Sequence, residues 1–351
     1  MANASMTDAA TGAASATTSG AVSTTVTGSV SGMGLGAVGL LLGMSTIASH
    51  VNDKVSVVPG SDGISGGGSG GGSQTVTSNG SGSFTAGPAV AGNGLHMKVY
   101  RADTGALLED VKVADDGSYS FNTTFVGVVI LVIQDVDADP DNPGMDYMDE
   151  AGGLVDLSVD LRSIAVLGAS GGAMTANVTP LTEIAATIAT GKSAAQAAAA
   201  GYAEATLTPT AVANTNKALA KVLGFGDNVD VTSASVTPIT DANGNVNTGM
   251  NNYGRVLAAL SHAGDLSNVI ATMAAGIRVD ASGNPSFNAD AGSAAQVLMA
   301  QGMAEAETAQ GISFSSMPAL QTVKTAATKA YSSVLIANML KADDLLGPDL
   351  T

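Results

Sequence analysis

Acidic side chains are concentrated in one short part of the sequence. Nine of the 30 Asp and Glu residues fall between positions 135 and 160, and no Lys or Arg lies among them. Carboxylates this close repel one another unless water or a cation separates them, and Ca²⁺ prefers clustered hard oxygen ligands. The sequence therefore predicts a Ca²⁺ site in this stretch, with a solvated acidic surface as the alternative. The predicted ligands are Asp135, Asp137, Asp139, Asp141, Asp146, Asp149 and Glu150.

The spacing of these carboxylates differs from that of an EF-hand loop. If Asp135 is the first position, the sixth is Pro140, where an EF-hand needs Gly, and the twelfth is Asp146 rather than Glu. The predicted site is therefore an irregular loop that follows a long strand. A second acidic motif, Asp241-Ala-Asn-Gly-Asn245, is a weaker candidate for a Ca²⁺ site and is better explained as a turn in which the Asp side chain accepts hydrogen bonds from the backbone.

Motifs associated with catalysis are present, but none has the surroundings that its chemistry needs. G-x-S-x-G occurs around Ser65, Ser69 and Ser170. The first two lie in a Gly/Ser linker and the third in a predicted hairpin turn, whereas a nucleophile elbow joins a buried strand to a helix. G-x-G-x-x-G begins at Gly34, but no further βαβ units follow, as a dinucleotide-binding fold requires. With no Cys and three widely separated His, the sequence predicts no enzymatic activity.

Charge and apolar content argue against two classes of partner. There are 13 Lys and Arg against 30 Asp and Glu, for a net charge of −17, and the basic residues are scattered singly. Nucleic-acid binding needs clustered cations, which are lacking. The longest apolar run, residues 33–48, is shorter than the roughly 20 residues of a membrane-spanning helix, and no Lys or Arg anchors its ends. The sequence therefore predicts neither nucleic-acid binding nor a membrane span.

The middle of the chain has the pattern of an antiparallel β-sandwich. Between residues 74 and 179, short runs with strand character alternate with turn signals such as Asn93-Gly94 and Asp115-Asp-Gly117. This spacing suits a sandwich of about seven strands. Residues 126–133 are almost continuously apolar, which predicts a central strand buried on both faces.

The periodicity changes at Pro180. Thr179 followed by Pro180 favours the start of a helix, and Leu181, Ile184 and Ile188 mark one helical face. Further helical patterns cover residues 194–205, 209–223, 253–262, 266–275, 291–309 and 320–340. The predicted fold class is therefore α+β with segregated parts, an antiparallel β-sandwich at 74–179 followed by an all-α helical bundle at 180–351.

The N-terminal part of the chain differs from both. Residues 1–58 are rich in Ala, Thr, Ser, Gly and Val, without a charge between Asp8 and Asp53, and residues 59–73 are a flexible Gly/Ser linker. Alternating β-branched residues favour a strand, yet this segment has no neighbour of its own to pair with. We predict an extended arm that donates a strand to another subunit, with a disordered tail as the alternative. Its predicted assembly residues are Val22, Val26, Val30, Leu35, Val38, Leu40, Leu41, Val55 and Val57.

Residues 85–310 resemble a module that recurs in large bacterial surface adhesins and secreted repeat proteins. The resemblance is carried by residues 98–106 (KVYRADTGA), 116–121 (DGSYSF), 146–152 (DYMDEAG), 161–166 (LRSIAV), 177–185 (NVTPLTEIA) and 252–261 (NYGRVLAALS). It implies an immunoglobulin-like or carboxypeptidase-regulatory-like sandwich coupled to a helical region. It also implies extracellular display for adhesion or matrix building, without catalysis. Such adhesins contain many copies of the module, whereas this sequence contains one.

A single copy gains multivalency only by polymerising. The sequence therefore predicts a structural subunit of a self-assembling filament, secreted or on a bacterial cell surface, whose partners are further copies of itself and surface or matrix glycans. The alternative is a monomeric adhesin-type module that binds a glycan or a host or cell surface. Residues 1–26 lack the positively charged start of a Sec signal peptide, so we expect either earlier removal of a signal or another export route.

Overall fold

The computed structural model describes residues 77–136, 144–169, 171–247, 249–288 and 292–329. The described residues belong to one compact unit, with most strands in its first part and most helices in its second. The fold is therefore mixed α+β, as the sequence predicts. The predicted arm and all of its assembly residues lie outside the described residues.

The strands form two larger sheets and a small hairpin before the first helix. Their bounds are β1 (Ser78–Ser83), β2 (Leu95–Arg101), β3 (Leu107–Lys112), β4 (Ser118–Thr123), β5 (Gly127–Asp135), β6 (Tyr147–Met148), β7 (Leu154–Val155), β8 (Leu161–Leu167) and β9 (Gly172–Thr175). The larger sheets have the strand orders β3-β2-β5-β8 and β4-β1-β9, and β6 pairs with β7. Pairing is antiparallel except between β1 and β9, which run parallel. This parallel pair departs from the fully antiparallel arrangement predicted from the sequence.

Strand β5 is the centre of the four-stranded sheet and is covered on both faces. Alternate residues Val129, Leu131 and Ile133 belong to one apolar cluster, which also contains residues of the three-stranded sheet. The intervening residues Val128, Ile130 and Val132 belong to a second cluster, shared with the helical part of the chain. The prediction of a strand buried on both faces is confirmed.

The helices follow the β-rich part closely in sequence. Their bounds are α1 (Pro180–Thr190), α2 (Ala194–Ala199), α3 (Pro209–Val222), α4 (Asn252–His262), α5 (Leu266–Gly276) and α6 (Gly292–Gln310), and residues 318–329 are also helical. Helix α2 ends earlier than predicted, because Gly201 and Tyr202 adopt positive φ angles of 64° and 58° just after it. A hairpin of β10 (Ile277–Val279) and β11 (Pro285–Phe287) separates α5 from α6 and was not predicted. None of the described helices is both long and apolar enough to cross a bilayer.

The start of α1 connects the two parts of the chain. The Thr179 hydroxyl accepts the N–H of Thr182 at 3.2 Å, and the Thr182 hydroxyl accepts the N–H of Thr179 at 2.9 Å, which forms a capping box. The Thr179 hydroxyl also lies 2.7 Å from the Tyr253 hydroxyl on α4. Residues of α1, α4, α5 and α6 belong to the same apolar cluster as the strands. The β-rich and helical parts therefore share one hydrophobic core.

A buried ion pair joins β8 to α1. Arg162 Nε and Nη2 donate to Glu183 Oε2 and Oε1 at 2.9 and 2.7 Å, and the Arg162 backbone N–H donates to Oε2 at 2.8 Å. The two side chains are 0% and 2% exposed. The same guanidinium donates to the Thr187 hydroxyl and to the Lys192 carbonyl. Two charges that are removed from water are stable only while they remain paired and hydrogen-bonded to each other. The ion pair therefore holds β8 in a fixed position against α1.

Removing one charge of this pair should destabilise the protein strongly. Glu183→Ala leaves the Arg162 guanidinium buried without its carboxylate, and the free energy of unfolding in urea should fall by about 3 to 5 kcal/mol. Asp103→Ala is the matched control, because it removes the carboxylate of an exposed pair, Arg101 and Asp103, that are 2.7 Å apart. That variant should unfold close to the wild-type urea concentration. Equal losses in both variants would contradict the role assigned to the buried pair.

Candidate functional site

Three carboxylates meet beside the β6–β7 hairpin. Asp135 is the last residue of β5, Asp146 directly precedes β6, and Asp156 directly follows β7. One oxygen of each carboxylate lies within 4.8 Å of the other two. We call these three residues the acidic trio.

The strands that position the acidic trio are short but well connected. Because β6 and β7 pair antiparallel, the residues that flank the paired segment, Asp146 and Asp156, lie on opposite strands at the same end. Asp135 reaches them from β5, where it pairs with Leu95 of β2. The N–H of Gly94, next to Leu95, donates to Asp146 Oδ1 at 3.2 Å.

The electrostatics of the trio depend on Asp146, which is fully buried. Burial raises the pKa of its carboxyl above the ordinary value, and the charge of Asp156 adds to this shift. Two hydrogen bonds, from the N–H of Leu157 at 2.8 Å and from that of Gly94, oppose it. A divalent cation between the carboxylates would relieve the repulsion, and the trio supplies three hard oxygen ligands of the kind that Ca²⁺ takes.

The acidic trio contains two of the predicted Ca²⁺ ligands, Asp135 and Asp146. Its third member, Asp156, lies in the same acid-rich stretch but was not among the predicted ligands. Asp156 lies beside Asp146 only because two very short strands, β6 and β7, pair with each other. The one sequence signal for that pairing is the turn-forming Gly152-Gly153 between the two strands. Asp149 and Glu150 are not part of the trio. Asp137, Asp139 and Asp141 lie outside the described residues.

Glu150 instead binds the loop that precedes α4. Its Oε2 accepts the backbone N–H groups of Ile239 and Thr240 at 2.9 and 3.0 Å, and the Thr240 hydroxyl at 3.0 Å. The side chain is fully buried, and Oε1 has no hydrogen-bond partner among the described residues. Burial raises the pKa of Glu150 from 4.5 to about 7, against the opposing effect of the bonds from Thr240 and Ile239. Glu150 is therefore a buried clamp between the β6–β7 hairpin and the helical part.

The carboxylate of Asp241 is used by its own turn. Asp241 Oδ1 accepts the N–H groups of Asn243 and Asn245, both at 2.9 Å. These bonds, with that from Asn245 the largest, hold the pKa of Asp241 below its ordinary value. Asp280 forms a similar turn between β10 and β11. The interpretation of the Asp241 motif as a turn is confirmed.

A polar and aromatic cluster that the sequence did not indicate lies between α2 and the four-stranded sheet. The rings of Tyr100 and Tyr202 stack with centroids 4.5 Å apart, and the Tyr202 hydroxyl donates to Asp160 Oδ2 at 2.9 Å. Gln134 Nε2 donates to the same oxygen at 2.8 Å. These contacts hold Tyr202 at its positive φ, which is uncommon for a residue other than Gly. The cluster fixes the end of α2 against the sheet.

A shallow depression of 420 Å³ lies between the end of α3 and the start of α4. Its lining residues are Phe225, Val229, Ala234, Ser235, Asn251, Asn252 and Tyr253. Phe225 is half-buried, and its ring stacks on that of buried Tyr253 with centroids 5.2 Å apart. Because none of the lining side chains carries a formal charge, the depression suits a neutral ligand with both apolar and hydroxyl groups.

The chain matches no protein-family model, and no curated protein or solved structure matches it. The resemblance to adhesin modules remains a prediction from the sequence.

The buried clamp should make stability depend on pH. The pKa of Glu150 is higher in the folded than in the unfolded protein, so the stability that it provides is present below about pH 4.5 and is lost as the pH rises to about 7. Glu150→Gln stays neutral and keeps an oxygen acceptor. Its unfolding free energy, measured in urea, should therefore rise relative to wild type by about 3 kcal/mol across this range.

Glu305→Gln is the matched control for this experiment, because Glu305 lies on the exposed surface of α6. Its stability should follow that of the wild type at every pH. A difference between Glu150→Gln and wild type that stays constant with pH would contradict the raised pKa of Glu150.

Proposed function

We propose that this protein is the structural subunit of a secreted, self-assembling filament of a bacterial surface or extracellular matrix. Subunits polymerise when the N-terminal arm of one adds a strand to a sheet of the next. The observation that carries this proposal is the three-stranded sheet, whose outer strands β4 and β9 contain no charged residue. An uncharged arm and an uncharged strand can pair through main-chain hydrogen bonds without taking a charge out of water.

The proposed module is a sandwich of the immunoglobulin-like kind with a helical bundle attached to it. The apolar cluster that both larger sheets share supports the sandwich. Close contact of α4 with α6 supports the bundle, since a side chain at Gly302 would overlap the Ala259 carbonyl. A rigid unit of this kind would space successive strand contacts evenly along a filament.

We assign a structural Ca²⁺ to the acidic trio in this proposal. A cation there would join the end of β5 to the β6–β7 hairpin and offset the repulsion of three carboxylates. The chain has no Cys, so an extracellular subunit would rely on strand addition and Ca²⁺ instead of disulfides for its durability. The proposed location is therefore extracellular or on the cell surface.

No catalytic role is part of the proposal. On the neighbouring strands β2 and β3, His96 Nδ1 lies 2.7 Å from Asp110 Oδ1. A His and carboxylate pair of this kind can activate a nucleophile, but no described hydroxyl group is hydrogen-bonded to His96. The pair is better explained as a cross-strand surface contact.

The depression beside Phe225 favours a second candidate function, a monomeric module that binds a neutral glycan. Sugar rings pack their apolar faces on aromatic side chains, and Ser235 and Asn252 at the rim offer a hydroxyl and an amide. This candidate requires neither the arm nor polymerisation. It can therefore be separated from the first by the state of the purified protein.

Calcium should stabilise the folded protein. Addition of Ca²⁺ should raise Tm and a chelator should reverse the rise, because a cation bound to the folded state shifts the folding equilibrium. Asp156→Asn should remove most of this response, since it neutralises one of three ligands. Asp227→Asn, at an exposed carboxylate that pairs with Lys221, should respond like wild type. If the wild type itself gives no response, the acidic trio does not bind Ca²⁺.

Deletion of residues 1–60 tests the role of the arm. Full-length protein should form filaments by negative-stain electron microscopy, whereas the deleted protein should stay monomeric with an unchanged circular dichroism spectrum. Filaments that persist after the deletion would contradict strand donation. A monomeric full-length protein whose saturable glycan binding is lost in Phe225→Ala would favour the second candidate.

A further inference from the structure

The outer strands of the two larger sheets differ in how open their edges are. The edge of β8 is occupied by the helical part. The backbone N–H of Arg162 donates to Glu183, its carbonyl accepts the Thr182 hydroxyl at 2.8 Å, and the Ile164 carbonyl accepts Asn216 Nδ2 at 3.3 Å. The edge of β3 carries Glu109, Asp110 and Lys112, and charged side chains protect an edge against pairing. Of the two larger sheets, only the three-stranded one therefore has outer strands without a charged residue.

The two outer strands of the three-stranded sheet differ in how completely they close the core. On β4, the inward residues Tyr119 and Phe121 are 6% and 2% exposed, so the core is complete there. On β9, the inward residue Met174 packs against the same cluster but is only half-buried. A strand added beside β9 would cover the exposed part of Met174, whereas one added beside β4 would find the core already closed.

The backbone of β9 is also available for pairing. The N–H groups of Ala176 and Val178 donate to the carbonyls of Ser81 and Ser83 at 2.9 and 3.0 Å, so the even-numbered residues here face β1. Since the backbone of a strand alternates with a period of two, Ala173 and Thr175 direct their N–H and C=O groups away from β1. No other described strand pairs with this side. Within β9 the edge thus offers two donors and two acceptors, and it ends at Asn177, whose N–H donates to the Thr232 carbonyl at 2.6 Å.

We propose that this open edge of β9 is the acceptor for the arm of a second copy of the chain. The inference rests on the proposed function. The occupant is Ala21-Val-Ser-Thr-Thr-Val-Thr27, in which Val22 and Val26 recur with the spacing of one strand face. Val22, Thr24 and Val26 then share the face that lies towards the core beside Met174, and Ser23 and Thr25 face solvent.

Two properties of the chain favour this occupant. It comes from a region without charge between Asp8 and Asp53, so it matches an uncharged edge. The linker at 59–73 has 15 residues, and a flexible chain of that length reaches about 20 Å on average. Addition to a neighbouring copy leaves one arm and one edge unpaired at the ends of every assembly, so growth continues into a filament.

A proline on the edge strand tests the backbone contact. Ala173→Pro removes an outward N–H without removing a bond to β1, and should raise the protein concentration needed for filament formation at least tenfold. Ala173→Ser keeps that N–H and should assemble like wild type. Equal assembly by the proline and serine variants would overturn the proposal. The Tm of both variants shows whether the proline has changed the stability of the fold. A cross-linking experiment tests the same contact without a proline substitution.

Because the chain has no Cys, single-cysteine variants identify the neighbouring strand directly. Thr175→Cys places a thiol on the exposed face of β9, and Thr25→Cys places one on the solvent face of the arm. When the two variants are mixed under mild oxidation in filaments, they should form a disulfide between copies. Ser120→Cys, on the exposed face of β4, is the matched control and should not react with Thr25→Cys.

The outcomes separate this inference from the proposed function. Filaments with a disulfide between positions 25 and 175 of different copies support both. Filaments in which Ser120→Cys reacts instead place the arm on β4, which overturns this inference and leaves the proposed function intact. A doubly substituted chain that cross-links only within itself and forms no filaments overturns both.

Discussion

The buried contact between β8 and α1 is the constraint on which the rest of the structure depends. Arg162 and Glu183 are both removed from water, so any movement of the strand against the helix would expose two charges to an apolar interior. Strand β8 pairs along its length with β5, and Asp135 at the end of β5 belongs to the acidic trio. The ion pair and one ligand of the candidate Ca²⁺ site are therefore attached to neighbouring strands of one sheet.

A second buried carboxylate, that of Glu150, also connects the β-rich part of the chain to the helical part. Glu150 holds the backbone at Ile239 and Thr240, while Gln310 Nε2 donates to the Glu150 carbonyl at 2.5 Å. The buried apolar residues are mostly aliphatic, with Ala, Val and Leu the most frequent, and aromatic residues make up only 3% of the chain. Small side chains pack in several alternative ways, whereas a carboxylate with fixed donors accepts only one. We therefore expect these polar contacts to add geometric specificity to a core that has few large side chains.

Local signals in the sequence predicted local features well. The apolar run at 126–133 predicts a strand buried on both faces, and β5 is such a strand. Thr179 before Pro180 predicts the start of a helix, and α1 begins at Pro180. Features that depend on distant partners were not predictable in this way. Periodicity says that a residue is buried but not what it contacts, so neither the parallel pairing of β1 with β9 nor the pairing of Arg162 with Glu183 could be read from it. Asp156 was missed for the same reason, since its neighbours in the trio are 10 and 21 positions away in the sequence.

The distribution of charge links the fold to the proposed assembly. A net charge of −17 makes copies of the chain repel each other, but at physiological ionic strength this repulsion is screened beyond about 8 Å. Contact between copies therefore becomes favourable only where the approaching surfaces are themselves uncharged, as β9 and the arm are. Such a contact would be short, with two outward residues on β9, and without Cys it cannot be locked covalently. A filament built from many short contacts of this kind would owe its durability to their number, and its assembly would depend steeply on the concentration of subunits.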